Sequence, residues 1–262
     1  MWRHSVARSV IVGFLVIVPS LVMGWQEVTS SVVWSPMGVY LELMNGPVRL
    51  LFPVIVTMIS VPTLSQELRF RYVTYIRSRN GMRLHLAKRL FVGAVSSFAV
   101  FAIFAGLAFG VAYGVTPLLA PSAIDPASYG LHNPAQVIAA DTNIAPLNAL
   151  RSSSFLLFAA ASIAWPAMYA FMFSLFAMCA VIMVEASVLA LLVPLAAYLG
   201  ESVLTQIIGL PAASFLVSAL YPAGLNSYSL EESAVAAMVL GVCVVCWSSL
   251  LVNRAPSLSR FS

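Results

Sequence analysis

Six stretches of this chain approach the length and apolarity of a bilayer crossing, and that repetition limits the possible folds more than any other feature. A membrane-spanning helix needs about 20 mostly apolar residues. The candidates run from Val10 to Trp25, Val48 to Leu64, Leu90 to Val115, Ser154 to Met183, Ala186 to Ile208 and Ser233 to Val252. Little charge remains to cover a water-facing surface. Only 8% of the residues are charged and 61% are hydrophobic, whereas soluble domains carry about 25% charged residues. The predicted fold class is therefore all-α: a polytopic membrane protein of six transmembrane helices in one transmembrane domain, residues 1–262. The first run follows a basic leader, MWRHSVARS, and so shares its layout with a signal peptide. We expect it to be kept as the first helix.

Lys and Arg set the orientation of such a chain. With the N-terminus in the cytoplasm, eleven of the 13 basic residues fall inside and only Arg49 and Arg151 fall outside. The acids run the other way: Glu27, Glu42, Asp125, Asp141, Glu231 and Glu232 land outside. This asymmetry predicts an even number of crossings with both termini cytoplasmic. Residues 26–47, the outer loop 116–153 and the outer hairpin 209–232 then lie outside, and the segment 65–89 lies inside. The second outer loop, rich in Pro, Ala and Asn, reads as an irregular lid. A net charge of +4 distributed in this way is a topology signal and not a nucleic-acid footprint.

Seven of the basic residues are gathered between Gln66 and Arg89, in QELRFRYVTYIRSRNGMRLHLAKR. Thr63 with Gln66 has the spacing of a capping box. Leu68, Tyr72, Tyr75 and Ile76 then share a helical face, with Arg69 and Arg77 off it. Asn80-Gly81 is a break, after which MRLHLAKRLF reads as a second helix feeding the third span. An amphipathic basic helix of this kind suits anionic lipid, where each basic residue contributes about 1 kcal/mol, and it equally suits a groove on a cytoplasmic partner. Physics alone does not choose between them.

The order of an acid, Arg-Tyr, Arg-x-Arg, a polar break and Leu-x-Lys is carried here by Glu67, Arg71, Tyr72, Tyr75, Arg77, Arg79, Leu86 and Lys88. It resembles the segment after the second span of type 2 ABC-transporter permeases. The resemblance extends in topology along the whole chain, including a broken apolar hairpin before the last span, and in residues over about twenty-five positions of this segment. The outer loop 116–153 is longer than that pattern leads one to expect. What the resemblance implies is specific. Residues 65–89 form an amphipathic cytoplasmic coupling helix, with Glu67, Arg71, Tyr72, Tyr75, Arg77, Arg79 and Lys88 docking an ABC ATPase subunit. The hairpin is partly buried. The chain pairs with a second permease, as a homo- or heterodimer, in a bacterial cytoplasmic membrane.

The chain's single lysine, Lys88, follows Ala87, so it lacks the Gly-Lys-Ser/Thr of a phosphate-cradling loop. ATP and Mg would be held by the partner, with no cofactor in this chain. No His-Glu-x-x-His occurs, the three histidines are scattered, and no catalytic or metal-ligating set can be assembled. Intramembrane charge is costly and marks function by default. On that ground Glu201, with Tyr198, Thr205 and Gln206, is a candidate substrate path; snorkelling of Glu201 to the outer interface, or its pairing with a neighbouring helix, is the plainer account. Cys179, Cys243 and Cys246 read as small buried residues. Pro19, Pro53, Pro166 and Pro194 fall inside spans and should kink them. Gly106, Gly110 and Gly114 should receive another helix of the same chain, and Arg151-Ser-Ser-Ser should cap the fourth span.

These features point to the permease subunit of an ATP-driven exporter. Two alternatives belong to other classes: a non-transporting membrane scaffold or immunity-type binding protein, and a membrane-embedded enzyme acting on lipid.

Overall fold

A computed structural model describes residues 2–69, 81–184, 187–221 and 230–254, and these residues are helical almost throughout. Helix α1 covers Trp2–Ser30, α2 Pro36–Asn45 and α3 Pro47–Arg69. Helix α4, Met82–Gly110, passes through a π-helical turn, Val111–Val115, into a last α-turn, Thr116–Leu119. Helix α5 is Pro134–Ile144, α6 Phe155–Met183, α7 Ser187–Ile208 and α8 Leu230–Arg254.

Among the described residues, three helices are long and apolar enough to cross a membrane: Arg83–Leu119, Phe155–Met183 and Ala234–Arg254. The pair Pro36–Asn45 and Pro47–Pro62, bent by 54° at Gly46, makes a fourth if it acts as one broken span. By length and composition this is a multi-pass membrane protein. The predicted third, fourth and sixth crossings coincide with the three long helices. The second is the longer limb of the bent pair. The first and fifth fall on α1 and α7, and within α7 the described apolar stretch is the shorter Leu192–Ile208.

The bundle is organised around α6, which packs on α3, α4, α7 and α8. Of its most apolar stretch 67% is buried, against 22% for α8, so α6 is central and α8 peripheral. Aromatic rings fill the outer core in edge-to-face contacts, a geometry their quadrupoles favour. Phe52 meets Phe101 at 4.9 Å and Phe173 at 5.5 Å, ring centre to ring centre. A smaller apolar cluster at the opposite end joins Val61 and Leu64 of α3 to Leu86 and Leu90 of α4, Met178 and Ile182 of α6 and Leu251 of α8.

Two of the prolines inside helices, Pro53 and Pro166, are accommodated by side chains from other helices. A proline inside a helix leaves the carbonyl four residues earlier without its N–H donor. Pro166 frees the Ser162 carbonyl, and the buried Tyr40 hydroxyl donates to it at 3.0 Å. Pro53 frees the Arg49 carbonyl, and the Tyr198 hydroxyl donates to it at 2.8 Å.

Several expectations are corrected. Residues 26–47 are not an outer loop. Gln26–Ser30 prolong α1, and Pro36–Asn45 form a helix whose Met37, Val39, Tyr40, Leu41, Leu43 and Met44 are buried. Pro at the first helical position and Ser35 as N-cap favour this start, and so apolar a segment is stable only when covered. No helix starts at Thr63, because α3 runs unbroken through it to Arg69. Residues 116–153 are not an irregular lid but a folded cap of short helices and turns. Cys243 and Cys246 are exposed, on the outward side of the peripheral α8; Cys179 is buried as expected. Gly106 has only Ile163 of α6 within 4 Å of an added Cβ, and Gly110 and Gly114 have nothing within 4 Å, so the described chain supplies no close helix over that stripe. Two other expectations hold. Helix α4 starts directly after Gly81, and Ser154 caps α6, its hydroxyl accepting from the Leu157 N–H.

Candidate functional site

Two ends of the bundle carry the polar chemistry. At one, α3 ends at Arg69 and α4 begins at Met82, so residues 70–80 join two long helices within a short connection. Of the predicted docking residues, Arg71, Tyr72, Tyr75, Arg77 and Arg79 lie outside the described residues. Glu67 is on the last turns of α3. Lys88 is on the first turns of α4 and exposed, as is Arg83, while Leu86 between them is buried. That alternation is helical: α4 buries one apolar stripe against α3 and α6 and leaves Arg83 and Lys88 uncovered.

At the other end the four predicted path residues separate. Tyr198 is fully buried and spends its hydroxyl on Arg49. Glu201 and Ser202, neighbours on α7, hold the hairpin segment that follows α7, at Phe215 and Leu216. The Phe215 N–H donates to the Glu201 carboxylate at 2.8 Å, and the Leu216 N–H donates to the Ser202 hydroxyl at 3.1 Å. These are the first amides of the short helix Phe215–Ser218, so side chains from α7 satisfy donors that a helix start leaves open. Thr205 turns its hydroxyl back to the Glu201 and Ser202 carbonyls of its own helix. Gln206 is exposed.

Arg49 completes this joint. Its Nε–H donates to the Leu216 carbonyl at 2.7 Å, and its Nη1 donates to Asn45 Oδ1 across the 54° bend. One residue thus ties both limbs of the bent pair to the hairpin. On the hairpin's far side the Trp165 Nε1–H donates to the Ser218 carbonyl at 2.6 Å. The Ser218 hydroxyl donates to the Ser214 carbonyl and lies 3.0 Å from the Tyr169 hydroxyl, leaving Tyr169 as the donor of that pair.

The cap is fastened at a third point. Asp141, on α5, is 1% exposed. Its Oδ1 accepts from the Ser35 hydroxyl at 2.6 Å and from Trp34 Nε1–H at 2.8 Å, and its Oδ2 lies 3.9 Å from Arg151 Nη1. Arg151 in turn sits 5.7 Å over the Tyr113 ring, a cation–π contact. Burial pushes the Asp141 carboxyl above the usual aspartate value, and the hydrogen bonds from Ser35 and Trp34, then the Arg151 charge, pull it part of the way back. The backbone adds a second fastening. Val33 N–H donates to the Ala123 carbonyl at 2.8 Å, and Asp125 N–H donates to the Val33 carbonyl at 2.9 Å. The Tyr129 hydroxyl donates to the Val32 carbonyl at 2.6 Å.

Sequence reasoning missed Tyr40, Arg49 and Asp141 as organising residues. The signal for Tyr40 was present in principle, since Pro166 declares an open carbonyl at Ser162. Asp141 is an acid in a loop with few other charges, which by itself says nothing of its burial. No family model matches this chain, and no curated protein or solved structure matches it.

Proposed function

We propose that this chain is the membrane-spanning permease subunit of an ATP-driven ABC exporter, of six crossings with both termini in the cytoplasm of a bacterial inner membrane. The observation that carries the reading is the basic connection between α3 and α4, with Arg83 and Lys88 exposed beside it. A simple topology anchor needs two or three charges. Seven gathered over a short stretch, Arg71, Arg77 and Arg79 on the link with Arg69, Arg83, Lys88 and Arg89 on the helix ends beside it, form an electrostatic handle for an acidic partner surface.

In this reading Glu67, Arg71, Tyr72, Tyr75, Arg77, Arg79 and Lys88 dock a separate ATPase, which holds ATP and Mg. Closure of two ATPases moves the coupling segments, and α3 and α4 carry the motion into the membrane. Cargo passes between this subunit and a second permease, identical or different.

The test is co-purification. The tagged chain, expressed with its cognate ATPase, should retain it. Arg77→Glu with Arg79→Glu should abolish retention and leave membrane insertion intact. Unchanged retention, or a variant that only binds lipid more weakly, would instead support a lipid-facing element in a non-transporting scaffold.

A further inference from the structure

Beneath the cap lies a set of buried polar atoms without a hydrogen-bond partner among the described residues. Asp141, Asn148, Ser162 and Tyr221 are each at most 4% exposed. The Asp141 Oδ2, both amide atoms of Asn148, the Ser162 hydroxyl and the Tyr221 hydroxyl have no hydrogen-bond partner among the described residues. Such atoms are rare in folded proteins, because a buried group that gives up water without replacement costs about 1–3 kcal/mol.

The chain brings these atoms to the same part of the molecule. Tyr221 packs edge-to-face on Tyr40 at 5.2 Å, and Tyr40 donates to the carbonyl of Ser162 itself. The Ser162 and Tyr221 hydroxyls lie beside one another at the limit of hydrogen-bond geometry, and Tyr221 is within electrostatic reach of Asp141. Asn148 sits on the 3-10 turn Pro146–Ser152, which packs on α5 and α6.

We propose that this region is a hydration site: a small cluster of bound water, enclosed within one subunit between the cap and α6. The donor and acceptor balance selects the occupant. Two hydroxyls and an amide both give and take hydrogen bonds, and the one free carboxylate oxygen faces the Arg151 charge, so no net charge is left to attract an ion. Water donates twice and accepts twice, which suits such a mixture, and a buried water typically makes about three hydrogen bonds to groups of this kind.

X-ray hydroxyl-radical footprinting of the full chain in lipid nanodiscs tests this directly, because radicals form from bound water in place and label the side chains beside it. Tyr221 should be labelled several-fold faster than Tyr198, which is equally buried but bonded to the Arg49 carbonyl. Equal labelling of the two would overturn the proposal. Asn148→Leu gives a second readout. If the amide is solvated by water, removing it lowers Tm; if the site is dry, removing an unpaired amide raises it, and a raised Tm would also overturn the proposal.

Discussion

Tyr40 and Ser162 lie on different helices, yet the hydroxyl of the first occupies the carbonyl of the second at 3.0 Å. The pairing exists because Pro166 cannot supply the helical donor. It predicts a conditional cost. Tyr40→Phe should destabilise the protein by about 1–3 kcal/mol, the usual result of orphaning a buried acceptor. In a Pro166→Ala background the new backbone N–H can take the Ser162 carbonyl, and the same change should cost little. Thermal unfolding of the four proteins in detergent measures the difference; equal losses in both backgrounds would refute the pairing. Tyr198→Phe with Pro53→Ala should behave in parallel.

Glu201 should prove to be a fastening for the hairpin segment at Phe215 and Leu216. Glu201→Ala removes the acceptor for the Phe215 N–H and should speed hydrogen exchange around Phe215 and Leu216, reflecting loss of about 1–3 kcal/mol of local protection. Glu201→Gln keeps an acceptor oxygen and should retain most of it. Exchange that is unchanged in the alanine variant would return Glu201 to the substrate path.

The Asp141 carboxyl titrates above the ordinary aspartate value of 3.8 in the folded chain. Between those two values the folded state binds more protons than the unfolded state. Stability contributed by this group therefore rises as pH falls through that window, levels off below 3.8, and is lowest at neutral pH. Neither Ser35 nor Trp34 titrates in that window. Asp141→Asn should remove this slope, read as the difference between wild-type and variant Tm from pH 7 downwards. A difference that does not vary with pH would contradict the assignment.

Glycines on two helices should respond in opposite directions. A Cβ on Gly24 would come within 3.0 Å of Leu43 Cδ2 and 3.2 Å of Leu43 Cα on α2, so Gly24→Ala should lower Tm by forcing α1 away from α2. Gly110 has nothing within 4 Å of an added Cβ. Gly110→Ala should stabilise the isolated chain by about 0.5–1 kcal/mol through helix propensity. If a second copy packs on that face, the same change should weaken the dimer, which size-exclusion chromatography with light scattering would detect.

The helices were legible from the sequence wherever an apolar run reached bilayer length, because burial in lipid or protein is then the main physical demand. The run from Phe155 to Met183 is the plainest case. Met37 to Met44 was misread as a connection because it is too short to cross alone, and only its Pro47-led continuation reveals a bent pair. The capping-box spacing at Thr63 was real but was overridden by packing, since Val61 and Leu64 are buried against α4 and α6 and hold the helix on course. Glu201 was legible as a costly charge, but not as a cap for a helix fourteen residues away, because that depends on how the hairpin folds back. Asp141 was illegible for the same reason: its partners Trp34 and Ser35 are more than a hundred residues distant in sequence.

The strap between the cap and residues 32–35 has a mechanical corollary. Val33 carries two backbone bonds to the cap, and Ser35, next but one, both starts α2 and grips Asp141. The roof cannot lift by itself. Any upward swing must draw on the shorter limb of the elbow at Gly46, and through Arg49 that pull reaches the hairpin as well. Lid, elbow and hairpin are geared as one train, so a push applied at any of them arrives at the other two.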